Sequence, residues 1–106
     1  MQGDTTTRAL RQRMVLALAR ASRDHYQTSA IALRSTLGVL AGAEAVSGRG
    51  RDGDGPELSD LEVAGIVAAE ADQRERAARR YDEAGDPRRA RRMQAEAEVL
   101  RDLLDD

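Results

Sequence analysis

LSDLEVAGIVAAEADQRERAARRYDEAGDPRRARRMQAEAEVLRDLL, residues 58–104, spells two helices and the turn between them. Ser59-Asp60-Leu61-Glu62 reads as a capping box: the Ser59 hydroxyl accepts the Glu62 amide, and the Glu62 carboxylate reaches back. Leu58 before the cap is placed to pack on Val63, completing a hydrophobic staple. The helix is expected to run over about 59–84, where Gly85 supplies a left-handed stop. Asp86 caps the next helix, and Pro87 occupies its first position, where no amide donor is needed. That helix is expected over 87–104, with Ala90, Met93, Ala97, Leu100 and Leu104 at the 3-4-3-4 spacing of antiparallel helix packing. So tight a turn lays the two helices side by side.

Working outward, two more helices precede this hairpin. The first is expected over about 6–23, with Leu10, Met14, Ala17, Leu18 and Ala21 at helical spacing. The second is expected over about 26–46, with Tyr26, Ala30, Leu33, Leu37 and Leu40 in one stripe that continues to the carboxylate of Glu44. Between it and the hairpin lies SGRGRDGDGPE, residues 47–57, whose glycine, proline and charge predict a flexible loop. Alternating β-branched runs are absent, so no strand is expected. The fold class is therefore all-α: a single domain built as a small four-helix bundle with a C-terminal antiparallel helical hairpin.

Composition narrows the chemistry. The chain has 106 residues and no cysteine, which removes disulfides, thiolate metal sites and cysteine nucleophiles. His25 is its only histidine, too few imidazoles for an ordinary zinc site. No metal and no cofactor is expected. No run approaches the roughly eighteen apolar residues of a membrane span, and MQGDTTT lacks the basic and apolar regions of a signal peptide. The expectation is a cytoplasmic protein with no membrane partner. With 17 basic and 19 acidic residues the net charge is −2, whereas a protein that binds nucleic acid over its whole surface is usually basic. Tyr26 and Tyr81 are the only aromatics, so the core is built from Leu, Val, Ile, Met and Ala. Such side chains bury little area each, at roughly 25 cal/mol per Å², and self-association would stabilise the chain further.

Several motifs dissolve on inspection. Gly48-Arg49-Gly50-Arg51-Asp52-Gly53 matches G-x-G-x-x-G, but a helix precedes it and the next helix begins only at Ser59, so the strand–turn–helix context of a dinucleotide site is missing. Asp52-Gly53-Asp54-Gly55 hints at a calcium loop, yet Glu57 stands where the loop requires glycine and Val63 where it requires glutamate. Ser22, Asp24 and His25 contain the residue types of a catalytic triad but sit nearly adjacent, as in a polar turn between helices. Glu96 and Glu98 lack the Glu-x-x-His partner of a di-iron bundle. No catalytic residue is assigned.

Two arginine clusters remain: Arg74, Arg76, Arg79 and Arg80 late in the third helix, and Arg88, Arg89, Arg91 and Arg92 early in the fourth. The Gly85-Asp86-Pro87 turn brings both to one end of the hairpin, where they form a candidate grip for a phosphate backbone. The plainer reading, and the commoner one, is a solvated face paired with Glu70, Glu75, Asp82, Glu83, Glu96 and Asp102. Four arginines in the first turns of a helix oppose its dipole. Glu44 and Glu70 interrupt apolar faces; Arg34 and Arg74 are expected to neutralise them across the second and third helices, fixing register rather than performing catalysis.

These residues resemble the YqeY family, whose domain also forms the tail of the GatB subunit of the tRNA-dependent amidotransferase. The family pattern falls on Leu58-Ser59-Asp60, Glu62-Val63, Glu70, Gln73-Arg74, Tyr81, Ala84-Gly85, Ala95-Glu96, Leu100 and Leu104, ungapped from Glu70 onward. Leu10 to Ala17 is similar to the family's first helix, and Leu33-Arg34 with Glu44 to its second, with a turn two residues longer. Asp105 replaces the family's closing proline, and Asp86 the arginine that often follows Ala-Gly. In family members a three-helix module follows; the sequence stops at Asp106 before it. The resemblance implies a helical-bundle domain associated with a carbon–nitrogen ligase that uses glutamine as amido donor, with the chemistry in other domains and the tail contacting tRNA. The expectations are thus a non-catalytic, RNA- or tRNA-associated accessory module gripping phosphate through its arginines, or a protein-interaction or self-associating helical module without RNA binding.

Overall fold

The computed structural model describes residues 9–48 and 57–105. They form four helices, α1 (Leu10–Arg23), α2 (Gln27–Val46), α3 (Asp60–Glu83) and α4 (Pro87–Asp105), and no strand occurs among them. The all-α bundle with its C-terminal hairpin is the observed architecture. The first helix begins at Leu10 rather than near Thr6, with Ala9 outside it; Thr6 to Arg8 and the glycine-rich residues 49–56 lie outside the described residues.

Both expected signals at the hairpin are realised. Ser59 Oγ accepts the Glu62 amide at 3.1 Å, and Glu62 Oε1 accepts the Ser59 amide at 2.8 Å. Leu58 packs on the core cluster that contains Val63. At the turn, Gly85 has φ +80°. The Asp86 amide donates to the Tyr81 carbonyl at 2.8 Å and the Gly85 amide to Asp82 at 3.1 Å, the two bonds of a Schellman ending. Asp86 then accepts the Arg89 amide at 3.1 Å as the cap of α4.

The α1–α2 turn repeats this device with a worse residue. The Tyr26 amide donates to Ala21 at 2.8 Å and the His25 amide to Ser22 at 3.4 Å. His25 fills the left-handed position at φ +62°, which costs a residue with a Cβ roughly 1–2 kcal/mol. Ser22, Asp24 and His25 are thus parts of a helix stop.

α1 and α2 pack together and lie across the base of the hairpin. The Leu10 amide donates to Asp60 Oδ1 at 2.6 Å, and Arg13 Nη1 donates to the Leu103 carbonyl at 3.0 Å, so α1 starts where α3 starts and α4 ends. The core is the cluster of Leu10, Met14, Ala32, Leu33, Leu40, Val63, Val67, Ala71, Leu100 and Leu103. α4 faces both α3 and the α1–α2 pair, so its inward face is wider than a two-helix seam. Leu103 and Glu96 are buried with Ala90, Ala97 and Leu100, whereas Met93 and Leu104 are only half-buried. Tyr26 is exposed, since it caps the turn rather than joining the stripe.

By length and composition α2 is apolar enough to cross a membrane, contrary to the expectation that no such stretch exists. Arg34 and Glu44 are its only ionisable residues. Here it serves as a core helix, burying Ala30, Ala32, Leu33, Thr36, Leu40 and Glu44.

α3, with 24 residues, is about 36 Å long at 1.5 Å per residue. Beyond Arg74 on α3 and before Glu96 on α4, the buried residues are Ala78 and Ala90. Among the described residues no hydrogen bond or ion pair ties α1 or α2 to residues 75–95. The hairpin tip therefore projects past the bundle. The two turns make a matched test of stability: His25→Gly is expected to stabilise the chain by about 0.5–1 kcal/mol and Gly85→Ala to destabilise it by about 1 kcal/mol in urea unfolding.

Candidate nucleic-acid interface at the hairpin tip

Three polar junctions hold the helices and decide which charged residues remain available. The first joins three helix ends. Glu44, buried late in α2, accepts Arg11 Nη2 at 2.7 Å and the Leu58 amide at 3.1 Å. Arg11 is also 3.8 Å from Glu57. Among the described residues the cation paired with Glu44 is thus Arg11 from α1, and not Arg34, which is exposed on the outer face of α2. Arg34 lies one residue past Leu33, so a helical step of about 100° turns it away from the core that Leu33 enters. Beside this junction, Asp60 caps α1 from fifty residues away. Ala9 offers α1 no side-chain cap, and Asp60 supplies the missing acceptor from the first turn of α3.

The second junction is centred on Arg74. Its Nη1 donates to Glu70 Oε1 at 2.9 Å and to the Glu70 carbonyl at 3.1 Å. Its Nε donates to Glu96 Oε1 at 2.9 Å and its Nη2 to Ser35 Oγ at 3.3 Å. The side chain is 11% exposed. Burial works against its charge, but the hydrogen bonds and attraction of Glu70 and Glu96 outweigh burial and hold its pKa above the ordinary arginine value. The expected pairing of Glu70 with Arg74 is present. It lies within α3, and the helix-to-helix partners are Glu96 and Ser35. As a phosphate-binding residue Arg74 is spent.

The third junction joins α3 to α4 on the opposite flank. Arg101 donates to Glu75 at 2.8 and 3.1 Å and to Asp72. These bonds raise the Arg101 pKa, and the Arg101 hydrogen bonds are the chief reason the Glu75 carboxyl lies below its usual value. A depressed folded pKa means that the Glu75 contribution is present above the ordinary glutamate value and is lost as pH falls through the depressed one.

The tip lies beyond these junctions. From residue 74 to 92 the chain carries eight arginines against the four carboxylates Glu75, Asp82, Glu83 and Asp86. Arg89 stacks 5.9 Å over the Tyr81 ring and lies 3.5 Å from Asp86. Arg76, Arg79, Arg80, Arg88, Arg91 and Arg92 are exposed, and among the described residues none of them lies within 4.0 Å of a carboxylate. The solvated-face reading holds for their exposure; among the described residues these six make no close ion pair, Glu75 being held by Arg101 and Asp86 lying against Arg89.

Two grooves flank the tip. One, about 610 Å³, is lined by Ser35, Gln73, Arg76, Arg80, Met93 and Glu96 among others. The other, about 260 Å³, is lined by Arg79, Asp82, Pro87, Arg91 and Gln94 with Ala78 and Ala90. The fold therefore brings the two clusters to one end, as expected, but divides them between two faces. The arrangement offers cations and hydrogen-bond donors to an extended anion. Among the described residues no three side chains converge to hold a metal ion, and Ser22 with His25 lies in an open surface groove beside Tyr26 and Arg34.

Sequence reasoning missed Arg11, Asp60 and the Asp72–Glu75–Arg101 group as structural residues. Each pairs across elements, and helical periodicity reports only which face a residue is on. Arg11→Ala is expected to cost about 2 kcal/mol by removing the Arg11 ion pair from buried Glu44, whereas Arg34→Ala stays within about 0.5 kcal/mol. Arg74→Ala is expected to cost about 3 kcal/mol, and adding Glu96→Ala to cost less than the sum of the two changes, measured as a coupling in a double-mutant cycle.

No known protein family, curated protein or solved structure matches this chain.

Proposed function

We propose that the protein is a non-catalytic accessory module that binds RNA, tRNA in particular, through the arginine tip of its α3–α4 hairpin. The observation that carries this reading is the set of six exposed guanidiniums on a projecting tip, none within 4.0 Å of a described carboxylate, whereas Arg11, Arg74 and Arg101 each hold one. An arginine placed at the start of a helix is electrostatically unfavourable, and a phosphate backbone relieves that repulsion. The likeness of residues 58–104 to the YqeY family supports tRNA as the RNA class, with the carbon–nitrogen ligase chemistry residing in a partner rather than here. A cytoplasmic site of action fits this role.

A net charge of −2 confines the interaction to the tip, where the local balance is positive. Affinity for tRNA is expected to fall steeply with salt. Replacing Arg80, Arg88, Arg91 and Arg92 by Ala is expected to weaken it by at least about tenfold with an unchanged circular dichroism spectrum. Retained affinity in that variant would remove the proposal.

A second reading is favoured by a different surface. Val15, Leu16, Ile31 and Val39 are 38–50% exposed on α1 and α2, away from the tip, and such side chains suit a protein partner or a second copy of the chain. Sedimentation across a hundredfold concentration range tests it: association lost on Ile31→Glu supports this reading, and a strict monomer discards self-association.

A further inference from the structure

The tip is a layer one helix thick with free guanidiniums on both of its faces. Arg76 and Arg80 line the groove that α2 borders; Arg79 and Arg91 line a groove that shares no residue with it. Arg76 and Arg80 are one turn apart, about 6 Å along the axis at 1.5 Å per residue. The two faces are separated by the thickness of a helix, about 10–12 Å. A single strand following one groove leaves the other pair unmatched. Two phosphate strands, one along each face, match both.

The second observation concerns bases. Proteins that hold single strands stack the bases on exposed aromatic rings. This tip has no such platform. Tyr81 is half-buried, with Arg89 5.9 Å over its ring. Tyr26 sits at the other end of α4, in a crevice with Val99, Asp102 and Leu103. Phe and Trp are absent from the chain. Apart from the carboxylates considered below and the Ser35 hydroxyl, the grooves offer guanidinium, the amides of Gln73 and Gln94, and aliphatic carbon, chemistry that reads a phosphate backbone rather than a base edge.

From these two observations we infer that the ligand of the tip is double-helical RNA, gripped by its backbone on both faces of the hairpin and without sequence preference. The inference rests on the RNA reading above and specifies the form of nucleic acid. Glu70, Glu96 and Asp82, which border the two grooves, leave the recognition intact: Glu70 and Glu96 are held by Arg74, and Asp82 lies beside Arg79 and Arg91 in a groove whose cations outnumber it.

The test uses the full chain and two probes, a 20-base-pair RNA duplex and one unstructured strand of the same length, titrated at several salt concentrations. The duplex is expected to bind at least about tenfold tighter than the single strand. Each face contributes separately: Arg76→Ala with Arg80→Ala, and Arg79→Ala with Arg91→Ala, are each expected to reduce the slope of log affinity against log salt by about 2 on the duplex, and all four together by about 4. Equal or tighter binding of the single strand, or a slope that depends on one pair alone, overturns the two-faced grip while leaving RNA binding in place. Binding of neither probe removes the RNA reading and this inference together. All four arginines are exposed, and thermal melts of the variants verify that the fold is retained.

Discussion

The buried guanidinium of Arg74 organises this molecule. It binds a carboxylate on its own helix, a carboxylate on α4 and a hydroxyl on α2, so three helices meet at one cation. Burying a charge costs several kcal/mol unless its hydrogen bonds are satisfied. Here they are: among the described residues no buried side-chain nitrogen or oxygen lacks a partner. Removing Arg74 leaves Glu70 and Glu96 largely buried without their shared cation. The level of Arg74 also divides the hairpin. Below it α3 and α4 belong to the bundle core; above it they belong only to each other.

That division separates structural from available charge. Below the level of Arg74, Glu44 is bound to Arg11, and Asp60 is bound to the amide of Leu10. Arg101, at the base, holds Asp72 and Glu75. These groups build the scaffold. Above it, a helix pair sealed by Ala78 and Ala90 buries too little to need further polar clamps, and its arginines face water. The small alanines let the helices approach closely without bulky side chains spreading the tip.

The polar residues that interrupt the apolar helix faces or cap the helices gain a physical meaning from this arrangement. Asp60, Glu62, Glu44, Glu70, Arg74 and Glu96 are all used in hydrogen bonds inside the fold. These residues thus fasten the bundle. The exposed arginines of the proposed interface fall outside this set.

Local sequence by itself determined the helix ends of the hairpin turn and the start of α3. The capping box at Ser59–Glu62, the left-handed Gly85 and the Asp86-Pro87 start act within four or five residues, where chain connectivity already fixes the geometry. It also determined that the arginine clusters share one end, because a turn of only three residues leaves no other arrangement. Only the tertiary structure decided the rest. It replaced Arg34 with Arg11 as the partner of Glu44, moved the α4 seam from Leu104 to Leu103, and assigned Asp60 to cap α1. It also drew Arg74 out of the interface and split the free guanidiniums between two faces. Each of these depends on the angle and register at which distant helices pack. Periodicity along one helix gives the direction a side chain points, but not the neighbour it meets there.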